Sequence, residues 1–388
     1  MRNLSLVFLT SIFFAHAAGT WAQIRAEVYL DRGRYLAGEP VFLIWEYTNV
    51  GSTAIPFERF DPYCPEPLGD VPSLPFAQPT VFPFPHDGIL DCESVIAPLK
   101  PGETYETKFL LNHRFDLSKP GEYTLTVPLG TGMYNSSNPH MPGDSFGTKQ
   151  LSLILRSTND AELRAAYQPY FDALKSDMSA RTREAIRVLA DSGAKFAETD
   201  LLRFSSDPRN GFDVQEVADE GLARLKTPAA CARLAELANH PELHDQQAAV
   251  DRLGRCGDPA YMLFLFQLAD RDRTIRDFAI SAAAEAGGDA AVDRILLHAS
   301  FDREKFFYAL GRTGSERAAK TIIDALPLLH DSYSQYAALR SLTTLTHRES
   351  RKKDFESQVR DWEEWWANYR VKEIYKPRDW HVPLTPLN

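Results

Sequence analysis

Ala249-Val250-x-x-Leu253-Gly254-x-x-Gly257 is one copy of a pattern that recurs between Ala218 and Gly314. The other clear copies are Ala279-Ile280-x-x-Ala283-x-x-x-Gly287 and Phe306-Phe307-x-x-Leu310-Gly311-x-x-Gly314. A second apolar run follows each copy, and after Leu253 it includes Met262 and Leu265. A period of about 30 residues with two helical stripes per unit is typical of a helical solenoid. This stretch therefore predicts how the chain is built, although it does not identify a partner.

The same register extends over residues 179–350, where six apolar positions can be aligned as anchors. The anchors are Leu189, Leu225, Leu253, Ala283, Leu310 and Leu342. The residues four positions before them are Ala185, Gly221, Ala249, Ala279, Phe306 and Ala338, and those three before are Ile186, Leu222, Val250, Ile280, Phe307 and Leu339. A small residue beside a large apolar one lets the first helix of each unit approach its neighbours closely. Glycine in the following break allows the chain to reverse.

These residues resemble HEAT-type repeats, in particular the bacterial repeats related to those of phycobilin lyases. The resemblance rests on Leu253-Gly254-Arg255-Cys256-Gly257-Asp258-Pro259-Ala260 and Leu310-Gly311-Arg312-Thr313-Gly314. It implies about five or six HEAT-like units and a role in protein binding. No chemistry carries over, because no bilin-handling site can be located in this sequence.

The composition and the N-terminal residues limit the class of protein. The chain has 388 residues, a formal net charge of −10, 44% hydrophobic and 25% charged residues, which is typical of a soluble globular protein. Nucleic acid and anionic lipid are disfavoured as main ligands, since both need a basic surface. Residues 1–22 are predicted to be a signal peptide, cleaved after Ala17 or, as we favour, after Ala22. The product is expected to be periplasmic or secreted, without a later membrane span.

Residues 23–156 show short β patterns. Strands are predicted at Ile24–Leu30, Val41–Tyr47, Thr104–Leu111, Tyr123–Val127 and Gln150–Leu155. With the turns Leu36-Ala37-Gly38-Glu39-Pro40, Pro101-Gly102-Glu103 and Pro120-Gly121-Glu122, this part resembles the immunoglobulin-like sandwiches of exported bacterial proteins, including the BsuPI-type proteinase-inhibitor fold. Nine prolines predict a long loop over residues 60–100. The predicted fold class is thus an all-β Ig-like sandwich followed by an all-α HEAT-like solenoid.

Two further segments complete the organisation. Residues 157–178 are predicted to form one linking helix, with Leu163, Tyr167, Tyr170 and Leu174 on one side. In residues 351–388, a Trp-rich helix is predicted to cap the last repeat and to precede an extended tail.

Four cysteines in an exported chain favour disulfides. Local pairing of Cys64 with Cys92 and of Cys231 with Cys256 is the simplest of three connectivities. In the repeats, Cys231 would begin one unit's second helix and Cys256 would end the next unit's first helix, on the same rim. A zinc site is the alternative, but no C-x-x-C motif is present.

Candidate catalytic and metal-binding groups are few. Gly143-Asp144-Ser145-Phe146-Gly147 matches the spelling of a nucleophile elbow, although a Pro-rich segment precedes it and a β pattern follows, where the motif requires a strand and a helix. His86, Asp87, Asp91, Cys92 and Glu93 could hold a metal, or they could be polar loop residues. We predict no catalytic, cofactor or metal site.

Binding is expected to depend on apolar surface. The segment 261–266 is apolar on every side, so Tyr261 and Phe264 are predicted partner-binding residues, with core or inter-domain packing as the alternative. The predicted function is an exported, non-enzymatic binding or scaffold protein for an unidentified protein partner, whose oligomeric state the sequence leaves open. The alternatives are a protease inhibitor acting through the β domain and a serine hydrolase at Ser145.

Overall fold

The computed structural model describes residues 24–60, 94–113, 115–128, 148–175, 180–207, 209–240, 243–297, 303–346, 348–368 and 382–383. The chain forms two compact units, a β unit up to Asn159 and a helical unit from Asp160. A small β region followed by a mostly helical part agrees with the predicted order of the two classes. No helix in the described ranges combines the length and the apolar character needed to cross a membrane.

The β unit consists of short strands. They are β1 (Ile24–Leu30), β2 (Arg34–Leu36), β3 (Phe42–Asn49), β4 (Ile55–Phe60), β5 (Ser94–Leu99), β6 (Thr104–Leu110), β7 (Phe115–Asp116), β8 (Gly121–Pro128) and β9 (Thr148–Arg156). The helical unit ends with a two-residue strand, β10 (Val382–Pro383). The five predicted strands lie within two residues of β1, β3, β6, β8 and β9. The predicted loop over residues 60–100 is too wide, because β5 lies inside it and pairs with β4, with Phe60 opposite Ser94.

Two three-stranded sheets bury the alternating apolar residues. The first has the order β1-β3-β6 and is antiparallel, with Val28 opposite Trp45. The second has the order β2-β9-β8, where β2 and β9 are parallel and β8 and β9 are antiparallel, with Tyr123 opposite Leu153. All four of these side chains are buried. Period-two alternation thus places one side of β8 and β9 in the core, whereas β3 buries the consecutive residues Leu43, Ile44 and Trp45.

Tyr123 ties the start of β8 to the preceding turn. Its hydroxyl donates to the backbone carbonyl of Lys119 at 2.9 Å, and its ring is buried. Asn112 forms a similar connection, accepting from the amide of Val41 at 2.8 Å and donating to the carbonyl of Glu39 at 3.0 Å. Asn112 thus satisfies two buried backbone groups that lie outside the sheets.

The link into the helical unit differs from the single helix predicted for residues 157–178. It consists of two short helices, α1 (Asp160–Ala166) and α2 (Gln168–Ala173), separated at Tyr167. Pro169 accounts for the break, because it has no amide hydrogen to donate to a carbonyl one turn earlier. Tyr167 is buried and its ring lies 5.4 Å from that of Phe196.

The remaining helices alternate between two sets. The first helices are α3 (Ala180–Asp191), α5 (Phe212–Leu225), α7 (Leu243–Cys256), α9 (Arg276–Gly287), α11 (Arg303–Arg312) and α13 (Ser332–Thr346). The second helices are α4 (Glu198–Ser206), α6 (Pro228–Ala238), α8 (Met262–Arg271), α10 (Val292–Leu297), α12 (Glu316–Ala325) and α14 (Phe355–Ala367). Each first helix packs against the next first helix, and α4, α6, α8, α10 and α12 pack against the first helix that follows them.

Small residues allow the close contact between first helices. A methyl group on Gly254 would lie 2.6 Å from the Cα of Ala282, and one on Gly221 would lie 2.7 Å from the Cα of Ala190. Gly257 follows α7 with φ 66°, a backbone conformation that favours glycine. After α5 no glycine is present, and Lys226 takes φ 52° instead. The repeat is therefore irregular at this break.

The helix α14 packs against α12 and the 3₁₀ turn Leu326–Leu328. Trp362 is buried beneath the guanidinium of Arg348, which lies 4.6 Å from the ring and 2.7 Å from Asp361 (Nη2–Oδ2). Trp365 meets Trp362 edge to face at 5.4 Å. This helix thus covers α12, the second helix of the preceding unit.

Candidate functional site

Charged side chains form a continuous series of ion pairs across the first helices, which we call the charge row. Its members are Asp191, Glu216, Glu220, Arg224, Asp251, Arg252, Arg255, Glu285 and Arg312. They lie on α3, α5, α7, α9 and α11, mostly toward the C-terminal ends of these helices. Their side chains are buried or partly buried, so the row belongs to the packing of the repeats as much as to their surface.

Glu220 is the centre of the part that joins α3, α5 and α7. It accepts from Arg255 at 2.6 Å (Nη2–Oε2) and lies 3.4 Å from the Nε of Arg252. Arg224, one turn along α5, pairs with Asp191 on α3. Two guanidinium groups from α7 therefore converge on one carboxylate of the preceding first helix.

Arg312 is the centre of the part that joins α7, α9 and α11. Its Nη2 donates to Asp251 Oδ1 at 2.9 Å and to Glu285 Oε2 at 2.6 Å. Asp251 also lies 3.2 Å from Arg255 (Oδ2–Nε), which connects the two parts. The row is thus unbroken from α3 to α11.

The electrostatics keep most of the row ionised. Burial alone would raise the pKa of Glu220, but Arg255, Arg224 and Arg252 hold that pKa far below its usual range. The pKa of Asp251 is lowered against the effect of burial by Arg312 and Arg255. Burial raises the pKa of Glu285, in spite of the attraction of Arg312. The ion pairs of the charge row can hold neighbouring helices in register. Each ionised group in the row has a neighbour of opposite charge.

Asp219, also on α5, has a different environment. Its side chain is buried and bonds Ser205, while its Oδ1 atom has no hydrogen-bond partner within the described residues. Burial raises the pKa of Asp219 to about 6, and Arg252 and Arg233 only partly oppose this effect. This carboxyl therefore changes its protonation state at mildly acidic pH.

The predicted partner-binding residues lie around the start of α8. Tyr261 ends the 3₁₀ turn Pro259–Tyr261, Phe264 lies in the first turn of α8, and both are half-buried. Leu263 between them is 47% exposed, whereas Leu265 is buried. The most exposed apolar side chain of this segment is thus Leu263, which the sequence pattern did not single out.

The disulfide between Cys231 and Cys256 connects α6 to α7, with 6.0 Å between the Cα atoms. This is consistent with the local pairing predicted for the repeats. Cys64, Cys92, Ser145 and the group around His86 all fall outside the described residues. Among the residues that are described, no three His, Cys, Asp or Glu side chains are grouped so as to hold a metal ion.

The charge row was missed at the level of sequence, although a signal for it exists. Two positions after four of the six anchors stand Asp191, Arg255, Glu285 and Arg312. Charges of both signs at one position of the repeat suggest that neighbouring units form ion pairs with one another. The partners at other positions, such as Glu220 and Asp251, could be identified only from the packing of the helices.

Comparisons with known proteins leave the family open. The chain matches no protein-family model and no curated protein. Among solved structures, it is similar to the complex of CpcE and CpcF of phycocyanin lyase from Nostoc sp. PCC7120, at 19% identity and a TM-score of 0.32. The similarity covers 53% of this chain and 90% of that chain. Nothing about the activity of this chain follows from a likeness at that level.

Proposed function

We propose that this protein is an exported, non-enzymatic scaffold that binds a protein partner on the concave face of a HEAT-like solenoid. The observation that carries the proposal is the charge row, whose ion pairs join five successive first helices into one ordered array. Repeats of this kind present extended surfaces for docking without any chemistry.

The contacts of Arg312 link three successive first helices on one side of the repeats. Packed helices lie about 8–10 Å apart, so an extended arginine on α11 can reach across α9 to α7. Arg312 donates to Asp251 on α7 and to Glu285 on α9 with the same nitrogen atom. We assign the side carrying the charge row to the concave face of the proposed solenoid.

The topology of the β unit supports an Ig-like sandwich. If β1, β3, β4, β5, β6, β8 and β9 are strands A to G, then β1-β3-β6 corresponds to the A-B-E neighbours of that fold and β8-β9 to F-G. Tyr123 matches the tyrosine corner, because it starts strand F and bonds the backbone four residues upstream.

The cysteines support export. A disulfide such as Cys231–Cys256 persists in oxidising compartments and is rare in the cytosol. Residues 1–22 contain an apolar segment followed by small residues. This segment and the disulfide together favour a periplasmic or secreted location.

Tyr261 and Phe264 are the proposed anchors for the partner. Tyr261 follows α7 at the end that carries Arg255, since its amide bonds the carbonyl of Asp258 in the turn just after α7. Aromatic side chains dominate binding energy at many protein interfaces. Half-buried rings have the further advantage that little side-chain freedom is lost on binding.

The experiment compares partner capture by the native chain and by the double variant Tyr261→Ala/Phe264→Ala. Cross-linking in the native envelope followed by mass spectrometry identifies the partner, and titration calorimetry then measures its affinity. The double variant should weaken binding at least tenfold, with nearly unchanged thermal unfolding. Leu297→Ala is the matched control, because Leu297 is 83% exposed on α10. Equal affinities for all three proteins, or a large loss of stability in the double variant, would reject these anchors.

A further inference from the structure

Among the described residues, the row of first helices ends at α13, where one flank of the helix is partly exposed. In earlier units, the residue just after the anchor faces the next first helix: Ala190 contacts Gly221, and Gly254 contacts Ala282. The corresponding residue of α13 is Thr343, and Leu339 and Tyr336 lie on the same side one and two turns earlier. The next described helix, α14, packs against α12 instead.

The exposed fractions of equivalent residues show that α13 differs from the preceding first helices. The residues equivalent to Leu339 in the five preceding first helices are all at most 5% exposed; they are Ile186, Leu222, Val250, Ile280 and Phe307. Leu339 itself is half-buried. Tyr336 and Tyr333 are 58% and 76% exposed, and Leu328 in the preceding turn is also exposed. Three of the eight exposed large apolar side chains in the described residues thus lie within nine positions of the chain.

The chemistry of this flank fits a second copy of the same helix. Residues 332–346 contain no carboxylate and one cation, Arg340. Its guanidinium lies 6.0 Å from the ring of Tyr336, one turn earlier, and its Nη1 donates to the Tyr336 hydroxyl at 3.2 Å. A two-fold axis midway between these residues would place Tyr336 of each copy beside Arg340 of the other. Two cation–π contacts would then form across the axis, as a self-complementary interface requires.

We propose that the chain forms a homodimer in which α13 packs antiparallel against α13 of a second copy, around Tyr336, Leu339 and Arg340. In this dimer, α13 of the other copy takes the place that the next first helix occupies in the preceding units. This inference does not rest on the proposed function, because it concerns the end of the row and not the concave face.

The test measures the mass of the purified full chain by sedimentation equilibrium and light scattering over a range of concentrations. The native chain should have twice the mass of one chain. Tyr336→Arg should halve that mass, because it places a second cation next to Arg340 of the other copy. Adding Arg340→Glu should restore the dimer, since the new cation then faces a carboxylate across the axis. Leu297→Arg, at an exposed site on α10, should leave the mass unchanged.

Three outcomes would overturn the proposal. One is a native chain with the mass of a single chain at every concentration, as expected if another kind of protein covers this flank. Another is a dimer that survives Tyr336→Arg. The third is failure of Arg340→Glu to restore the dimer in a double variant that unfolds like the native chain.

Discussion

Arg312 on α11 donates to Asp251 on α7 at 2.9 Å, although 61 positions of the chain separate them. Three helices, α8, α9 and α10, lie between the helices that carry these two residues. A long-range pair of this kind requires that three first helices are in register at once. The pair therefore depends on the packing of several helices at once. Its removal should change the free energy of unfolding of the helical unit.

Arg312→Met should lower the free energy of unfolding by about 3–5 kcal/mol, because Glu285 and Asp251 would remain in place without their main cation. Methionine keeps much of the volume of the arginine stem, so the loss can be assigned to charge. Arg317→Met is the matched control: Arg317 pairs with Asp289 and Asp293 at the surface, where such pairs contribute about 0–1 kcal/mol. Urea unfolding measures both. Similar small losses would show that the charge row adds little to stability.

The sequence predicted the helical part well where periodic apolar residues determine the structure, and less well where single contacts do. The anchors Leu253 and Leu310 are fully buried on first helices, as the register predicts. By contrast, Pro169 divides the expected linking helix. Whether Tyr261 or Leu263 is exposed depends on contacts with other units. The repeat pattern in the sequence does not specify those contacts. The charge row was missed for the same reason, since its partners are distant in the chain.

Asp219→Asn should stabilise the protein at pH 7.5. The pKa of this carboxyl is raised by burial to about 6 from 3.8, so its contribution to stability is full below pH 3.8 and is lost as pH rises through 6. Removing the ionisation should recover on the order of 1–3 kcal/mol at neutral pH, and the gain should disappear near pH 4. Urea unfolding at several pH values measures this difference.

A second aspartate provides the control with the opposite sign. Asp272 is partly exposed and accepts from the amide and hydroxyl of Thr274 at 2.8 and 2.7 Å, which lowers its pKa. Its contribution to stability is present above its unfolded pKa and is lost as pH falls, so Asp272→Asn should give no gain at pH 7.5. A gain in both variants would indicate a general effect of net charge.

Reducing the disulfide should destabilise the helical unit. Cys231 and Cys256 are 25 positions apart, and a loop of that length restricts the unfolded chain enough to contribute about 3–4 kcal/mol. The denaturation midpoint should therefore fall in the presence of reductant. The Cys231→Ala/Cys256→Ala variant should have the same low midpoint with and without reductant. If reductant leaves the native midpoint unchanged, the bond does not form in solution.

Gly254→Ala should destabilise the protein, even though alanine is the better helix former by about 1 kcal/mol. The new methyl group would lie 2.6 Å from the Cα of Ala282 and 2.9 Å from its carbonyl oxygen, so backbone must move and not only a side chain. Overpacking of this kind costs about 1–3 kcal/mol. Gly33→Ala is the control, because a methyl group there meets no atom within 4 Å. Urea unfolding should therefore show a clear loss for Gly254→Ala and little change for Gly33→Ala. A gain in stability at Gly254 would mean that the first helices lie further apart than this contact requires, and the close stacking that underlies the charge row would then be wrong.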